Sequence, residues 1–148
     1  MHIVLVHPDI PGNAGNIART CVATGTTLHF VRPMGFEISD RHLKRAGLDY
    51  WENLTWEEHA SIGAMESAVM AGRPCFLFTK TAARSIWETE FAPDSVLIFG
   101  SETQGLPTQF MEKYPERLRS IPMTGPVRSL NVSTAAGIVL YEALRQTR

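Results

Sequence analysis

Polar residues that could bind a ligand or activate a substrate concentrate in three glycine-containing segments of the sequence. The first contains Asn13 and Arg19, the second contains Glu102, and the third contains Ser129 and Asn131. Each segment follows a short apolar run, so each is predicted to be a loop at the carboxyl end of a strand, where α/β sheets bind ligands. Glycines in such loops let backbone N–H and C=O groups approach a ligand closely. The segments therefore predict a site for a small polar cofactor.

The spacing of these residues argues against several common kinds of site. Gly12-Asn-Ala-Gly15 lacks the GxGxxG order, and no Gly-Lys-Ser/Thr sequence follows a glycine-rich turn, so neither a dinucleotide nor a P-loop fingerprint is present. The absence of GxSxG argues against a hydrolase. Without CxxC, HxxH or HExxH, no metal site is predicted. The histidines without metal-ligand spacing are His2, His7, His29, His42 and His59.

The elements that would position these loops follow from the apolar pattern. Short apolar runs alternate with helical patterns, which predicts an α/β domain with a largely parallel sheet flanked by helices. Strands are predicted at residues 3–6, 28–31, 75–79, 96–99 and 118–121. Helices are predicted at residues 13–24, 40–47, 60–71, 107–114 and 130–145, the last with an apolar stripe.

Length and composition fit one domain over residues 1–148, with 44% apolar and 20% charged residues. No apolar run reaches about 18 residues, so no membrane span is predicted. The amino terminus lacks the features of a signal peptide, and with no CxxC the two cysteines favour a reduced, cytoplasmic protein. Cys21 is expected in the core rather than as a nucleophile.

The formal net charge of −1 conceals an uneven distribution of charge. Five acidic and no basic residues lie between Asp49 and Glu66, whereas six basic residues lie between Lys113 and Arg148. Clusters of basic residues can bind the phosphates of a nucleic acid even when the net charge of the protein is close to zero. The basic residues that would contact nucleic acid are Arg41, Lys44, Arg45 and Arg128.

Taken together, the three loops resemble the motifs of the SPOUT-superfamily RNA 2′-O-ribose methyltransferases. The matching segments are Asn13-x5-Arg19-Thr-Cys, Gly100-x-Glu102-x-x-Gly105-Leu106 and Ile121-Pro-Met-x-Gly-x-x-x-Ser-Leu-Asn-Val-Ser. Pro33-Met-Gly-Phe and Leu43-Lys-Arg-Ala-Gly-Leu-Asp-Tyr50 are similar to the small tRNA (cytidine/uridine-34-2′-O)-methyltransferases, which act at the wobble nucleotide. Ser101 and Gln104 depart from that branch, where proline and arginine are usual.

The resemblance implies a SPOUT-type trefoil-knotted domain, a homodimer, and S-adenosyl-L-methionine (SAM) as the cofactor. It also implies tRNA, at the anticodon stem-loop, as the substrate, with no membrane or metal partner. The residues it places at the chemistry are Arg19, Asn13, Glu102, Ser129 and Asn131. The residues it places around SAM are Leu77, Gly100, Glu102, Gly105, Ile121, Met123, Ser129, Leu130 and Ser133.

The family mechanism assigns activation of the ribose 2′-OH to Arg19. A guanidinium stays protonated in proteins, so the role that physical chemistry favours is a bidentate clamp on an RNA phosphate and polarisation of the hydroxyl. The identity of the proton acceptor stays open.

Structural roles compete with these functional ones. Asn13 is a possible helix cap, and Ser129 or Asn131 could cap the last helix. Glu102 could accept from backbone N–H groups of its own loop or could contact Arg19. His7 could face the first loop, and Trp51 and Trp56 are expected to cover the core or an interface rather than to stack on bases.

Three other functions remain open. The same motifs serve methyltransferases that act on other tRNA positions or on ribosomal RNA. A non-catalytic RNA-binding module could keep the fold. An unrelated flavodoxin-type protein would bind flavin or NAD.

Overall fold

The computed structural model of the protein describes residues 1–39 and 50–148. The helix predicted at residues 40–47 lies outside the described residues, as do the basic residues Arg41, Lys44 and Arg45.

Within the described residues, six parallel strands form one sheet in the order β3-β2-β1-β5-β4-β6. The strands are β1 (His2–Val6), β2 (Thr27–Val31), β3 (Trp56–His59), β4 (Cys75–Phe78), β5 (Val96–Phe99) and β6 (Leu118–Arg119). From β1, near the centre of the sheet, the chain continues through β2 to the edge strand β3. It then crosses to the other half of the sheet, which contains β4, β5 and β6. The connections after β1 and β5 therefore leave in opposite directions, and open α/β sheets bind ligands at such a point.

Because consecutive side chains of a strand point to opposite faces, the sheet has two cores, one on each face. On the first face, Ile3, Phe30 and Leu97 pack against the helices α1 (Pro11–Thr24) and α4 (Val132–Thr147). On the second face, Val4, Leu77 and Ile98 pack against residues 62–70 and 106–111. The buried members of α4 are Ala136, Val139, Leu140 and Ala143, which confirms the predicted apolar stripe. Cys21 is fully buried in the first core, as expected.

The helix boundaries differ from the predicted ones by a few residues. Helix α1 begins at Pro11 with Ile10 as its cap, because proline suits a first-turn position without an N–H to satisfy. The capping role considered for Asn13 is therefore wrong. Gly25 ends α1 with a φ of 66°, as the sequence indicates. Asn131 caps α4 by accepting from the Ser133 N–H at 2.8 Å.

The shorter helices are α2 (Ile62–Met65), which continues as a π-helical turn over Glu66–Met70, and α3 (Thr108–Lys113). Pro107 is the cap of α3 rather than a residue of its first turn. Single 3₁₀ turns occur at Trp51–Asn53, Ile86–Glu88 and Pro115–Arg117. Among the helices of the described ranges, none combines the length and apolar character needed to span a bilayer.

Strand β3 is the element that the sequence did not predict. Its residues read Trp-Glu-Glu-His, and both glutamates are exposed, so the apolar alternation of a half-buried strand is missing. The strand lies at the edge of the sheet, where charged residues are common. The Trp56 ring lies 5.7 Å from the Trp51 ring and 6.2 Å from the Phe30 ring, so both tryptophans cover the core, as expected.

Candidate active site

The loops after β4, β5 and β6 and the start of α4 enclose a cavity of about 580 Å³ at the carboxyl edge of the sheet. Its size lies within the range of cofactor sites. Of the residues predicted for the site, nine line the cavity. They are Asn13, Gly100, Glu102, Gly105, Ile121, Met123, Ser129, Leu130 and Asn131.

The loop after β5 turns back on itself at Gly100. The Ser101 N–H donates to the Gly105 carbonyl at 3.2 Å, and the Gly105 N–H donates to the Ser101 carbonyl at 2.9 Å. A Cβ at Gly100 would lie 2.1 Å from the Gly105 carbonyl carbon and 2.2 Å from the Leu106 nitrogen. Gly105 has a φ of 71°, which favours glycine. The fold therefore requires glycine at both ends of this turn.

A chain of hydrogen bonds joins the three predicted loops. Glu102 accepts from the Asp9 N–H at 2.8 Å, from the Ile10 N–H at 3.3 Å and from Asn13 Nδ2 at 3.1 Å. Asn13 Oδ1 in turn accepts from Asn131 Nδ2 at 3.0 Å. A carboxylate only accepts, so it orients the Asn13 amide, which then orients the Asn131 amide. Glu102 thus contacts the loop after β1, rather than its own loop or Arg19, the two alternatives that the sequence offered.

The hydrogen bonds of Asn131 explain why Ser133 contacts another residue of the site rather than the cavity. Asn131 Oδ1 accepts from the Ser133 N–H and from Ser133 Oγ at 2.6 Å. Ser133 therefore lies behind Asn131 and outside the cavity lining. The side-chain oxygen of Asn131 caps α4, and the side-chain nitrogen donates to Asn13.

Leu77 also lies outside the cavity lining. Its side chain is fully buried in the second core, because consecutive strand residues point to opposite faces. Its neighbours Phe78 and Thr79 line the cavity instead.

Arg19 is exposed on α1 and does not line the cavity of its own chain. Its guanidinium carbon lies 4.9 Å from the centre of the Tyr50 ring, which is the distance of a cation–π contact. Arg128 is also exposed and lies outside the lining. Both cations are therefore placed where a large ligand could reach them from solvent.

Sequence reasoning missed part of the lining, namely Thr79, Lys80, Thr81 and Arg119. The first three follow β4 directly, and their position at a strand end was the available signal, although this loop contains no glycine. Arg119 is buried and donates to Thr89 Oγ1, the Glu116 carbonyl and the Leu118 carbonyl, each at 2.8 Å. These bonds indicate a structural role, whereas Lys80 is exposed.

A second cavity of about 450 Å³ adjoins the first and shares Ser101 and Gln104 with it. His7 and Asp9, from the segment after β1, also line this second cavity. His7 has a φ of 53°, an unusual conformation for a residue with a side chain, and its N–H donates to the Val31 carbonyl at 3.0 Å. Backbone strain of this kind clusters at functional sites.

Comparison with known proteins identifies the class to which this fold and site belong. The model of the SpoU rRNA Methylase family matches residues 1–141. The chain therefore belongs to the SpoU methylase family, and its fold is the SPOUT-type α/β fold that the three motifs predicted.

Individual relatives show which members of the family the chain is similar to. A Methylovorus glucosotrophus protein named tRNA (cytidine(34)-2′-O)-methyltransferase is 44% identical over 145 residues, which are 97% of this chain and 94% of that protein. A solved structure from work on "the 2-OH methylation of C/U34 on tRNA" has a TM-score of 0.94 and 45% identity, and covers 98% of this chain and 94% of its own. The SpoU methyltransferase AviRb from Streptomyces viridochromogenes, solved in complex with the cofactor AdoMet, has a TM-score of 0.86 and 28% identity. That match covers 100% of this chain and 59% of AviRb.

Proposed function

We propose that the protein transfers a methyl group from SAM to the ribose 2′-oxygen of nucleotide 34, cytidine or uridine, in tRNA. The observation that carries this proposal is a pair of hydrogen bonds, one between Asn13 and Glu102 and one between Asn131 and Asn13. These bonds, called the junction below, bring all three family motifs to one cavity. We infer the identity of the substrate from family membership and from the names of the relatives that are 44% and 45% identical.

The first cavity fits SAM in size and in the chemistry of its walls. Leu106, Ile121 and Leu130 supply apolar surface for an adenosine, and Gly100 keeps the turn of the loop close to it. Neither Gly100 nor Gly105 places a side chain between the loop backbone and the cavity, and the Ser101 and Gly105 carbonyls, which each accept one hydrogen bond within the turn, keep a second lone pair for a ligand. When bound, SAM supplies an electrophilic methyl group on a sulfonium.

The protein's own residues then have to hold the ribose oxygen in line with that methyl group, at about 3–3.5 Å. We assign this positioning to Arg19, which clamps the adjacent phosphate and polarises the 2′-OH. Asn131 and Ser129 line the mouth of the cavity and supply polar atoms for the ribose. The proton leaves to a base or to a phosphate oxygen of the substrate.

The second cavity is the place that we assign to the target nucleotide. It shares Ser101 and Gln104 with the cofactor cavity, so a nucleotide there has its ribose close to the bound cofactor. His7 and Asp9 offer hydrogen-bonding groups to its base. Arg128, together with Arg41, Lys44 and Arg45 from the sequence, is assigned to phosphates of the anticodon stem-loop.

A homodimer and a cytoplasmic location complete the proposal. Ile138 and Tyr141 lie one turn apart on α4 and are 40% and 58% exposed, which is unusual for large apolar side chains on a packed helix. A second copy of the chain would cover this face and could bring its Arg19 to the cavity. We also propose that residues 1–148 act as one domain.

Methylation of another tRNA or rRNA position is the nearest alternative, since the family model that matches the chain describes SpoU rRNA methylases. A non-catalytic RNA-binding module is less favoured, because Arg19, Glu102 and Asn131 are all present and two of them are bonded into the junction.

The experiment is methyl transfer from labelled SAM to an anticodon stem-loop RNA with cytidine or uridine at position 34. The control RNA carries a 2′-deoxynucleotide at position 34 and is otherwise identical. Label on the first RNA and none on the second supports the proposal. Equal labelling of both would place the methyl group on a base or on another nucleotide.

A further inference from the structure

Three side chains that are distant in sequence meet on the second face of the sheet. Glu57 and His59 are two residues apart on β3, so they lie on the same face, and His29 of β2 is directly opposite Glu57 in the parallel register. His29 and His59 are buried, and Glu57 is exposed. The spacing of these histidines along the chain gave no metal motif, because the ligands come from two strands.

The distances between the three polar atoms are those of a metal's ligand set. His29 Nδ1 lies 3.1 Å from His59 Nε2 and 3.7 Å from Glu57 Oε2, and His59 Nε2 lies 3.9 Å from Glu57 Oε2. The nearest point equidistant from all three atoms lies in their plane, about 2.1 Å from each, which is the bond length of Zn²⁺ to imidazole nitrogen and carboxylate oxygen. A tetrahedral ion lies out of that plane, so the three atoms must also move slightly closer together. Coordination requires the imidazole rings to turn about their Cβ–Cγ bonds so that both lone pairs meet there.

A third histidine, His2, orients the central one, His29. His2 Nδ1 lies 3.0 Å from His29 Nε2, so His29 can donate its Nε2 proton to His2 and leave Nδ1 free as a ligand. Ligating histidines in proteins commonly donate their other N–H in this way.

We propose that His29, Glu57 and His59 bind a divalent transition-metal ion, with Zn²⁺ as the best match, and that water completes a tetrahedron. Two imidazoles and one carboxylate form a donor set that suits Zn²⁺ and disfavours Mg²⁺ and Ca²⁺, which take oxygen ligands. When the ion binds, the proton on His59 Nε2 moves to His59 Nδ1, so both imidazoles stay neutral and each presents a lone pair to the ion.

The role of this ion is structural rather than catalytic. None of the three ligands lines either cavity, and methyl transfer from a sulfonium does not require a metal. The ion would add a link between the edge strand β3 and β2, which are also joined by backbone bonds, by the contact of the Phe30 and Trp56 rings and by the Arg32–Glu58 ion pair. It would therefore raise the stability of this half of the sheet.

The test is a zinc titration of untagged, chelator-treated protein, followed by competition with a chromophoric chelator and by thermal unfolding. Glu57→Gln removes an exposed ligand with little risk to folding, and Glu58→Gln on the same strand is the matched control. His59→Gln removes a second ligand. Co²⁺ replaces Zn²⁺ in a parallel titration, because its absorption spectrum reports tetrahedral coordination.

We expect one Zn²⁺ per chain, a raised unfolding midpoint, and the same behaviour in Glu58→Gln. Glu57→Gln should weaken binding at least about tenfold, and His59→Gln should abolish it. Absence of stoichiometric binding by the wild type would overturn the site. Unchanged binding in both Glu57→Gln and His59→Gln would also overturn it, by placing the ion elsewhere. Neither result depends on methyltransferase activity.

Discussion

Glu102 accepts a hydrogen bond from the Asn13 side chain at 3.1 Å, across 89 positions of sequence. This contact joins the loop after β5 to the helix that follows β1. The strands β1 and β5 are neighbours, and the connections that follow them leave in opposite directions along the sheet. Because Asn13 also accepts from Asn131, one carboxylate fixes the orientation of two amides at the cavity.

Replacement of Glu102 by glutamine should destabilise the protein by about 1–3 kcal/mol, because an NH₂ group then faces one of three N–H donors. Binding of SAM should weaken in parallel. Denaturant unfolding and calorimetric titration measure the two effects, and Glu90→Gln at an exposed position is the control. Full stability of the Glu102→Gln protein would show that the junction contributes nothing.

Gly100→Ala should destabilise the turn by about 1–3 kcal/mol and abolish SAM binding, because the new methyl group would overlap the backbone at Gly105. The matched control is Gly63→Ala, at an exposed position outside the three motifs, where the nearest atom to the added Cβ is Ser61 Oγ at 3.9 Å. Unfolding and SAM titration of both variants test this. SAM binding that survives in Gly100→Ala would contradict the assignment of this turn to the cofactor.

Tyr141→Lys should convert a dimer into monomers, because it places a charge on the apolar face formed with Ile138. Sedimentation velocity over a range of concentrations measures this. Trp87→Lys is the control, since Trp87 is a large apolar residue with 73% exposure that belongs to the 3₁₀ turn Ile86–Glu88 and not to α4. A wild-type monomer, or a Tyr141→Lys dimer, would remove α4 from the proposed interface.

Cys21 should not react with thiol reagents at pH 8 in the folded protein. Burial raises the pKa of its thiol to about 12, so about one thiol in 10⁴ is ionised at that pH, and the thiolate is the reactive form. Reaction should become fast after unfolding in guanidinium. Rapid modification of Cys21 before unfolding, mapped by mass spectrometry, would contradict this burial.

The sequence predicted the parts of this molecule in which local pattern and tertiary structure agree. The apolar runs of β1, β2, β4 and β5 and the stripe of α4 are strong signals because both faces of the sheet are covered. The three loops were predicted to form a site, and their residues do line one cavity.

Other features depend on contacts that no short pattern contains. Strand β3 carries exposed glutamates because it lies at the edge, so its alternation is weak. The partner of Glu102 is set by the adjacency of β1 and β5, whose separation in sequence hides it. Leu77 points into the second core because of its place in the alternation of β4, and the contact of His29 with His59 depends on β3.

The most direct test of the proposed function compares wild type with Arg19→Ala and Arg19→Lys. Labelled methyl transfer from SAM to tRNA that lacks wobble methylation is measured, and the product is digested and mapped. We predict label on the 2′-oxygen of nucleotide 34. In Arg19→Ala we predict a loss of at least about 100-fold, with fold and SAM binding retained, and in Arg19→Lys partial activity. Undiminished transfer by Arg19→Ala, or label at another nucleotide, would contradict the account.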